Sequence, residues 1–237
     1  QNRTQRRIYL WDVTLSTKGF GGTPDIYKDV VSFLKNDINS LTDESTEIIV
    51  LPFQERILDN WVDKATKSGK SNIINKIERY NNGTITNTNI VQPIKTVQSQ
   101  FIKNDRHNML FLLTDGKQTG GNSELLSLIR NWEQYAQIND AYAVYVMLTK
   151  EAIDQEVVNV IDETEHIDVI TEPGKVDFID LQPTELVKYN IKDDNGNPVI
   201  IALICKKDFV LPDGITVSVK SLNDTIVNVN TISEIKN

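Results

Sequence analysis

The chain of 237 residues carries 25 Lys and Arg against 33 Asp and Glu, a formal net charge of −8, with 39% hydrophobic and 24% charged residues. At about 100–200 residues per domain, this length allows one large domain or two smaller ones. The balance argues against a generally basic nucleic-acid-binding face and is too apolar for a disordered chain, and no uninterrupted apolar run approaches the ~20 residues that a membrane helix needs. A single cysteine, Cys205, excludes an intramolecular disulfide framework and a Cys-rich zinc site. It lies in the apolar run Val199–Cys205 and reads as a core thiol. His107 and His166 are far apart and lack ligand spacing, which argues against zinc hydrolase chemistry.

From residue 7 to about 171, short apolar runs alternate with amphipathic stretches. Ile8–Trp11 reads as a buried strand, followed by a loop with Gly19, Gly21 and Gly22. Thr23 then reads as a helix N-cap with Pro24 at the first helical position, and Ile26, Val30, Phe33, Leu34 and Ile38 recur at helical spacing. Glu47–Phe53 is a second strand. Arg56–Trp61 reads as a weaker third strand, antiparallel to the second across the short gap at Gln54-Glu55. The polar segment Val62–Asn82 suggests a helix in its second half, from Ile73, Ile74 and Ile77, and Asn89–Ile102 is helical by spacing. Met109–Leu113 is the most apolar strand of this region. Ser123–Ala136 reads as one helix capped at Ser123, Ala141–Leu148 as a strand, Ile153–Asp162 as a short helix, and Ile167–Ile170 as a last strand. Continuous apolar strands separated by helices demand an α/β fold: a doubly wound, mostly parallel six-stranded sheet with one antiparallel edge strand, covered on both faces.

After Thr171-Glu172-Pro173-Gly174 the texture changes. Val176–Leu181, Leu186–Ile191, Val199–Cys205, Ile215–Val219 and Ile226–Val229 are short strand-like runs, and Asp194-Asn195-Gly196-Asn197-Pro198 is a hairpin signal. The acids of Asp193-Asp194 are adjacent and no glutamate follows at the required distance, so a calcium loop is disfavoured there. The expected organisation is an α/β domain over 1–172 and a small Ig-like β-sandwich over 173–237.

The chemistry-bearing residues stand at strand ends. In an open α/β sheet the ligand site forms at the carboxyl ends, where strand order reverses. The first strand ends in Asp12-Val13-Thr14-Leu15-Ser16 and the central strand in Thr114-Asp115-Gly116, while Thr88 opens a helix between them. Two Asp and three Ser/Thr oxygens form a hard, all-oxygen set suited to Mg²⁺ or Mn²⁺, with Ca²⁺ less comfortable for so few carboxylates. Taken singly, each element has a plainer reading: turn hydroxyls for Thr14 and Ser16, a helix cap for Thr88, a turn for Asp115-Gly116. The dinucleotide-binding spacing and the P-loop pattern are both absent.

Asp12-Val13-Thr14-Leu15-Ser16, Thr88 and Leu112-Leu113-Thr114-Asp115-Gly116 resemble, in order, the three parts of the metal-ion-dependent adhesion site of von Willebrand factor A domains. The resemblance covers roughly residues 6 to 172. It implies that Thr14 and Ser16 would bind Mg²⁺ through their hydroxyls, and Thr88 in the ligand-engaged state. Asp12 and Asp115 would act through bound waters or at longer range. An acidic side chain of a partner protein would fill the remaining position. Thr14 departs from the more usual Ser but keeps the oxygen, and the loop from Thr17 to Thr23 is not the common short form. A metal-dependent protein-binding module is therefore expected, without enzymatic activity and without a nucleic-acid partner. Two alternatives stand beside it: an assembly scaffold of a surface complex with an idle site, and a metal-assisted hydrolase. By analogy with adhesion modules joined to β-sandwiches, and because the first residue is Gln1, an exported or cell-surface bacterial protein is expected.

Overall fold

The computed structural model describes residues 4–22, 25–81, 87–115, 118–147 and 153–170, followed by the backbone of the strands Phe178–Asp180, Glu185–Lys192, Pro198–Cys205, Val217–Lys220 and Ile226–Val229. The chain divides into two compact units, the first ending at Thr171 and the second beginning at Glu172.

In the first unit, strands β1 (Gln5–Asp12), β2 (Glu47–Phe53), β3 (Trp61–Lys64), β4 (His107–Thr114), β5 (Ala141–Met147) and β6 (Ile167–Ile170) form one sheet in the order β3-β2-β1-β4-β5-β6. Every neighbouring pair is parallel except β2 with β3. Tyr9 is in register with Val50 on one side and Phe111 on the other, which fixes β1 at the centre. Strand order reverses between β1 and β4, so their carboxyl ends flank the switch point.

The near-continuous apolar strands bury both faces. One face, including Ile8, Leu10, Leu110 and Leu112, packs against Ile94 of α3 (Val91–Thr96), Leu126 of α4 (Ser123–Arg130), Trp132 of α5 (Trp132–Asn139) and Ile161 of α6 (Gln155–Asp162) in a single cluster. The opposite face carries Tyr9 stacked on Phe111 with ring centroids 5.4 Å apart, and Trp11 against Tyr27 at 5.7 Å and Tyr80 at 5.6 Å. These rings meet α1 (Tyr27–Ser40) and the end of α2 (Lys67–Arg79). Buried Arg7 places Nη1 at 3.0 and 3.1 Å from the two carboxylate oxygens of Asp37 on α1, and the Tyr9 hydroxyl donates to the same group.

Several sequence expectations shift. The third strand is Trp61–Lys64, not Arg56–Trp61. Its Trp61 ring is buried 5.2 Å from Tyr80 and its indole N–H donates to Asp59. Ile57 and Leu58, whose apolar character suggested the strand, sit instead in the turn, where the Leu58 N–H donates to Pro52. As an edge strand β3 has one hydrogen-bonded neighbour, so it needs no long apolar run. Helix α2 starts early because Thr66 caps it, its hydroxyl accepting from the Gly69 N–H at 3.1 Å.

The expected helix Asn89–Ile102 is α3 followed by a π-helical turn, Val97–Phe101, with the Gln98 carbonyl accepting from the Tyr135 hydroxyl. Ser123–Ala136 is two helices, α4 and α5, broken at Asn131. There the Trp132 indole is turned to donate to the His166 carbonyl at 2.7 Å. Ser123 is the first helical residue, not the cap; Asn122 precedes it and spends its amide on Asp154 at 2.6 Å. Helix α1 begins at Tyr27, whose N–H donates to Asp25; Thr23 and Pro24 lie outside the described residues.

In the second unit, β7 (Phe178–Asp180), β8 (Glu185–Lys192) and β9 (Pro198–Cys205) form a sheet in the order β7-β9-β8, with β8 and β9 antiparallel. A second sheet pairs β10 (Val217–Lys220) with β11 (Ile226–Val229). These strands fall on the five runs singled out in the sequence. Asp194-Asn195-Gly196-Asn197 of the expected hairpin lies outside the described residues, although β8 and β9 pair across it from Lys192 to Pro198.

Candidate metal centre

Strand β1 delivers Asp12 to the carboxyl rim and β4 delivers Thr114, with Asp115 next along the chain. After Asp12 the backbone turns sharply. The Thr14 N–H folds back on Asp12 Oδ1 at 2.9 Å, and a 3₁₀ turn over Leu15–Thr17 is held by the Thr17 amide and hydroxyl, both donating to the Thr14 carbonyl. This is how a Thr-x-Ser spacing turns both hydroxyls to one side.

The side chains form an unbroken chain of contacts. The Thr114 hydroxyl donates to Asp12 Oδ2 at 2.7 Å. Thr14 Oγ1 lies 2.9 Å from Ser16 Oγ, and the Ser16 hydroxyl donates to Asp115 Oδ1 at 3.2 Å. Ser16 has one proton, already given to Asp115, so between Thr14 and Ser16 it is Thr14 that donates. Asp12 and Thr14 are fully buried and Asp115 nearly so, while Ser16 is half-buried and forms the mouth of the cluster.

Electrostatics make this a demanding place for two acids. Burial, then the charge of Asp115, pushes the Asp12 carboxyl up to about 7, against the opposing bonds from Thr14 and Thr114. Burial also raises Asp115, opposed by the Ser16 hydroxyl. The Tyr145 phenol is raised by burial and by the charges of Asp12 and Asp154. A divalent ion would relieve the charge that these effects penalise.

Thr88 joins the rim through its main chain. Its N–H donates to Thr119 Oγ1 at 3.1 Å and its carbonyl accepts from the Thr119 N–H at 3.0 Å, four residues beyond Asp115. The adjacent Ile90 N–H donates to Gln118 Oε1, and the Asn89 N–H donates to the Gln54 carbonyl. Buried Gln54 in turn donates its amide to the Val13 carbonyl at 3.3 Å. The helix-capping bond falls to Asn89, whose Oδ1 accepts from the Gln92 N–H at 3.1 Å, and not to Thr88.

The structure thus brings Asp12, Thr14, Ser16 and Asp115 into one hydrogen-bonded group and laces Thr88 to the loops that carry them. Gly116 lies outside the described residues. Sequence reasoning quoted Thr114 as part of a motif without giving it a role, and it missed Gln54, Gln118 and Thr119. Their partners are mostly backbone groups of other loops, which leave no mark in a sequence pattern. Among the described residues no group of three or more His, Cys, Asp and Glu side chains gathers. The donors here are two carboxylates and three hydroxyls, a set that fits a hard cation retaining several waters, of the Mg²⁺ type.

No protein-family model and no curated protein sequence matches the chain. Among solved structures, proximal thread matrix protein 1 from the mussel byssus is similar at a TM-score of 0.52 and 16% identity, over 72% of this chain and 44% of that one. The ArnB paralog VWA2 from Sulfolobus acidocaldarius is similar at 0.50 and 18% identity, over 74% and 43%. The chain therefore spans less than half the length of these two proteins. With its strand order β3-β2-β1-β4-β5-β6 and a single antiparallel edge, the first unit has the von Willebrand factor A type of fold.

Proposed function

We propose that the first unit is a divalent-cation-dependent protein-binding module. Asp12, Thr14, Ser16, Thr88 and Asp115 would hold Mg²⁺, and a carboxylate of a partner protein would complete the ion's shell. The observation that supports this most is the relay Thr114–Asp12–Thr14–Ser16–Asp115, which joins the ends of β1 and β4 at the switch point. Bound there, the ion would supply concentrated positive charge open to one more anionic oxygen. The chain's own residues do the rest. Thr114 and the Thr14 amide fix both oxygens of Asp12, and Ser16 presents the half-buried hydroxyl nearest solvent. The likeness in fold to VWA2 is consistent with an interaction module.

On this reading the second unit, with five strands in two sheets among the described residues, is a small β-sandwich serving as spacer or second interaction surface. An exported or cell-surface setting belongs to the same proposal; among the described residues no helix is long and apolar enough to cross a membrane. Calorimetric titration with MgCl₂ and MnCl₂ tests the metal site. Saturable binding is expected for the wild type and not for Asp12→Ala or Asp115→Ala, with EDTA lowering thermal stability and abolishing capture of a partner. A folded wild type that takes up neither ion would replace this reading with that of an idle-site scaffold.

A further inference from the structure

We infer, resting on the proposed metal-dependent site, that Thr119 is a positioning residue for the ion: it fixes Thr88 against the loop that carries Asp115, and affinity for the ion passes through that clamp. Three consecutive N–H groups ahead of α3 are claimed from outside their own segment. The Thr88 N–H donates to Thr119 Oγ1 at 3.1 Å, the Asn89 N–H to the Gln54 carbonyl at 3.2 Å, and the Ile90 N–H to Gln118 Oε1 at 2.6 Å. A helix start needs such acceptors, and they normally come from the residue just before it. Here two of the three are side chains three and four positions beyond Asp115, so the Asp115 loop caps the helix that Thr88 precedes. The return bond, from the Thr119 N–H to the Thr88 carbonyl at 3.0 Å, leaves both main-chain polar groups of Thr88 bonded to one residue.

Thr119 does little else. It is exposed, whereas Thr88 is 3% exposed. Among the described residues its one other hydrogen bond comes from the Gln118 amide to its carbonyl, at 3.5 Å. No hydrogen bond among them holds the Thr88 hydroxyl, so the place of that oxygen depends on the main chain that Thr119 grips. Beyond Thr119 stand Gly120 and Gly121, at φ of 91° and 99°, with no heavy atom within 4 Å of where a Cβ would be. Backbone of that freedom holds no position by itself, and the next anchor is Asn122, bonded to Asp154 at 2.6 Å. Mg²⁺ demands nearly ideal octahedral geometry, so a Thr88 oxygen that is free to shift costs affinity even when every ligand is present. At this exposed place water can replace the Thr119 hydroxyl as acceptor, so its loss frees Thr88 rather than leaving a buried group unpaired.

A double-mutant cycle on the full chain, Thr119→Val with Thr88→Val, tests the inference, with Thr119→Ser as the rescue and Mg²⁺ affinity read by calorimetry. Thr119→Val should bind Mg²⁺ about fivefold more weakly, and Thr119→Ser should stay within about twofold of the wild type. In the Thr88→Val background, where the oxygen to be positioned is gone, Thr119→Val should cost less than about twofold. Amide exchange followed by NMR in EDTA gives a readout without metal. There the Thr88 N–H should exchange about tenfold faster in Thr119→Val and at the wild-type rate in Thr119→Ser. Unchanged Mg²⁺ affinity in Thr119→Val overturns the inference while the metal-dependent reading survives. So does a loss that persists undiminished without the Thr88 hydroxyl, and so does a Thr88 N–H that exchanges equally fast in the wild type and both Thr119 variants. Failure of the wild type to bind Mg²⁺ refutes the proposed function itself.

Discussion

Replacing Asp12 with Asn should make the metal-free protein more stable, and only above acidic pH. The Asp12 carboxyl titrates near 7 in the folded chain against 3.8 for the free group, because it is buried and faces Asp115. Between those values the native state holds more protons than the unfolded one. Stability without metal therefore declines as pH rises from about 4 through 7 and levels off above. The full span corresponds to about 4 kcal/mol at pH 8. An asparagine at position 12 keeps one oxygen for the Thr14 N–H and turns an N–H₂ toward Thr114, whose hydroxyl can rotate to accept. Part of the gain is spent on that rearrangement, leaving about 2 kcal/mol, or a Tm about 4–8 °C higher in EDTA at pH 8 and almost unchanged at pH 4.5. All three tryptophans, Trp11, Trp61 and Trp132, are buried in the first unit, so their fluorescence on heating follows that unit alone. With Mg²⁺ at a hundredfold excess over its Kd the wild type gains about 2.7 kcal/mol and the variant gains nothing, which cancels or inverts the order. An Asp12→Asn protein no more stable than wild type in EDTA at pH 8, or equally stabilised by Mg²⁺, would refute the reasoning.

Thr114→Val removes the hydroxyl that fixes Asp12 Oδ2, and Mg²⁺ affinity by calorimetry should fall about tenfold or more, with Thr114→Ser restoring it. Gly69→Ala places a methyl 2.0 Å from the Lys64 carbonyl oxygen and 2.6 Å from Asp63 Oδ1, so α2 must lift off β3; a loss of about 3 kcal/mol in urea unfolding is expected. Asp37→Ala strips the buried Arg7 guanidinium of its counter-charge and should cost about 3–5 kcal/mol, whereas the double change Arg7→Met with Asp37→Leu should cost much less.

The sheet was legible because its strands are buried on both faces and spell unbroken apolar runs; Glu47–Phe53 and Ile167–Ile170 match to the residue. Elements defined by single side-chain bonds were not. The break at Asn131 sits beside the Trp132 indole that donates to the His166 carbonyl, and α2 starts at the Thr66 cap; neither bond alters hydrophobic spacing. At the rim, Asp12, Thr14, Ser16 and Asp115 could be named because loop oxygens at strand ends have few structural uses in combination. Gln54 could not, since its amide and carbonyl serve the main chains of Val13 and Asn89, contacts between residues 35 or more positions apart.

Asp37 over one face of the sheet and the pair Asp12 and Asp115 at its rim are buried acids met in different ways, and their contrast bears on the rim. Asp37 is met by the Arg7 guanidinium and the Tyr9 hydroxyl, so its charge is compensated within the fold. Asp12 and Asp115 are met by hydroxyls and an amide, and among the described residues no basic side chain is bonded to either. Burying two neighbouring carboxylates without a counter-charge costs stability that a well-packed apolar pair would not. A domain that supplies an arginine to Asp37 and, among the described residues, no basic side chain to the neighbouring pair Asp12 and Asp115 leaves room at the rim for positive charge from outside. The hydroxyls that replace the arginine are themselves oxygen donors, able to stand beside the carboxylates as ligands where a guanidinium could only repel a cation. Loss of stability in the metal-free state and affinity for the ion are on this account one property, so no substitution of Asp12 should raise metal-free stability without giving up affinity for the ion.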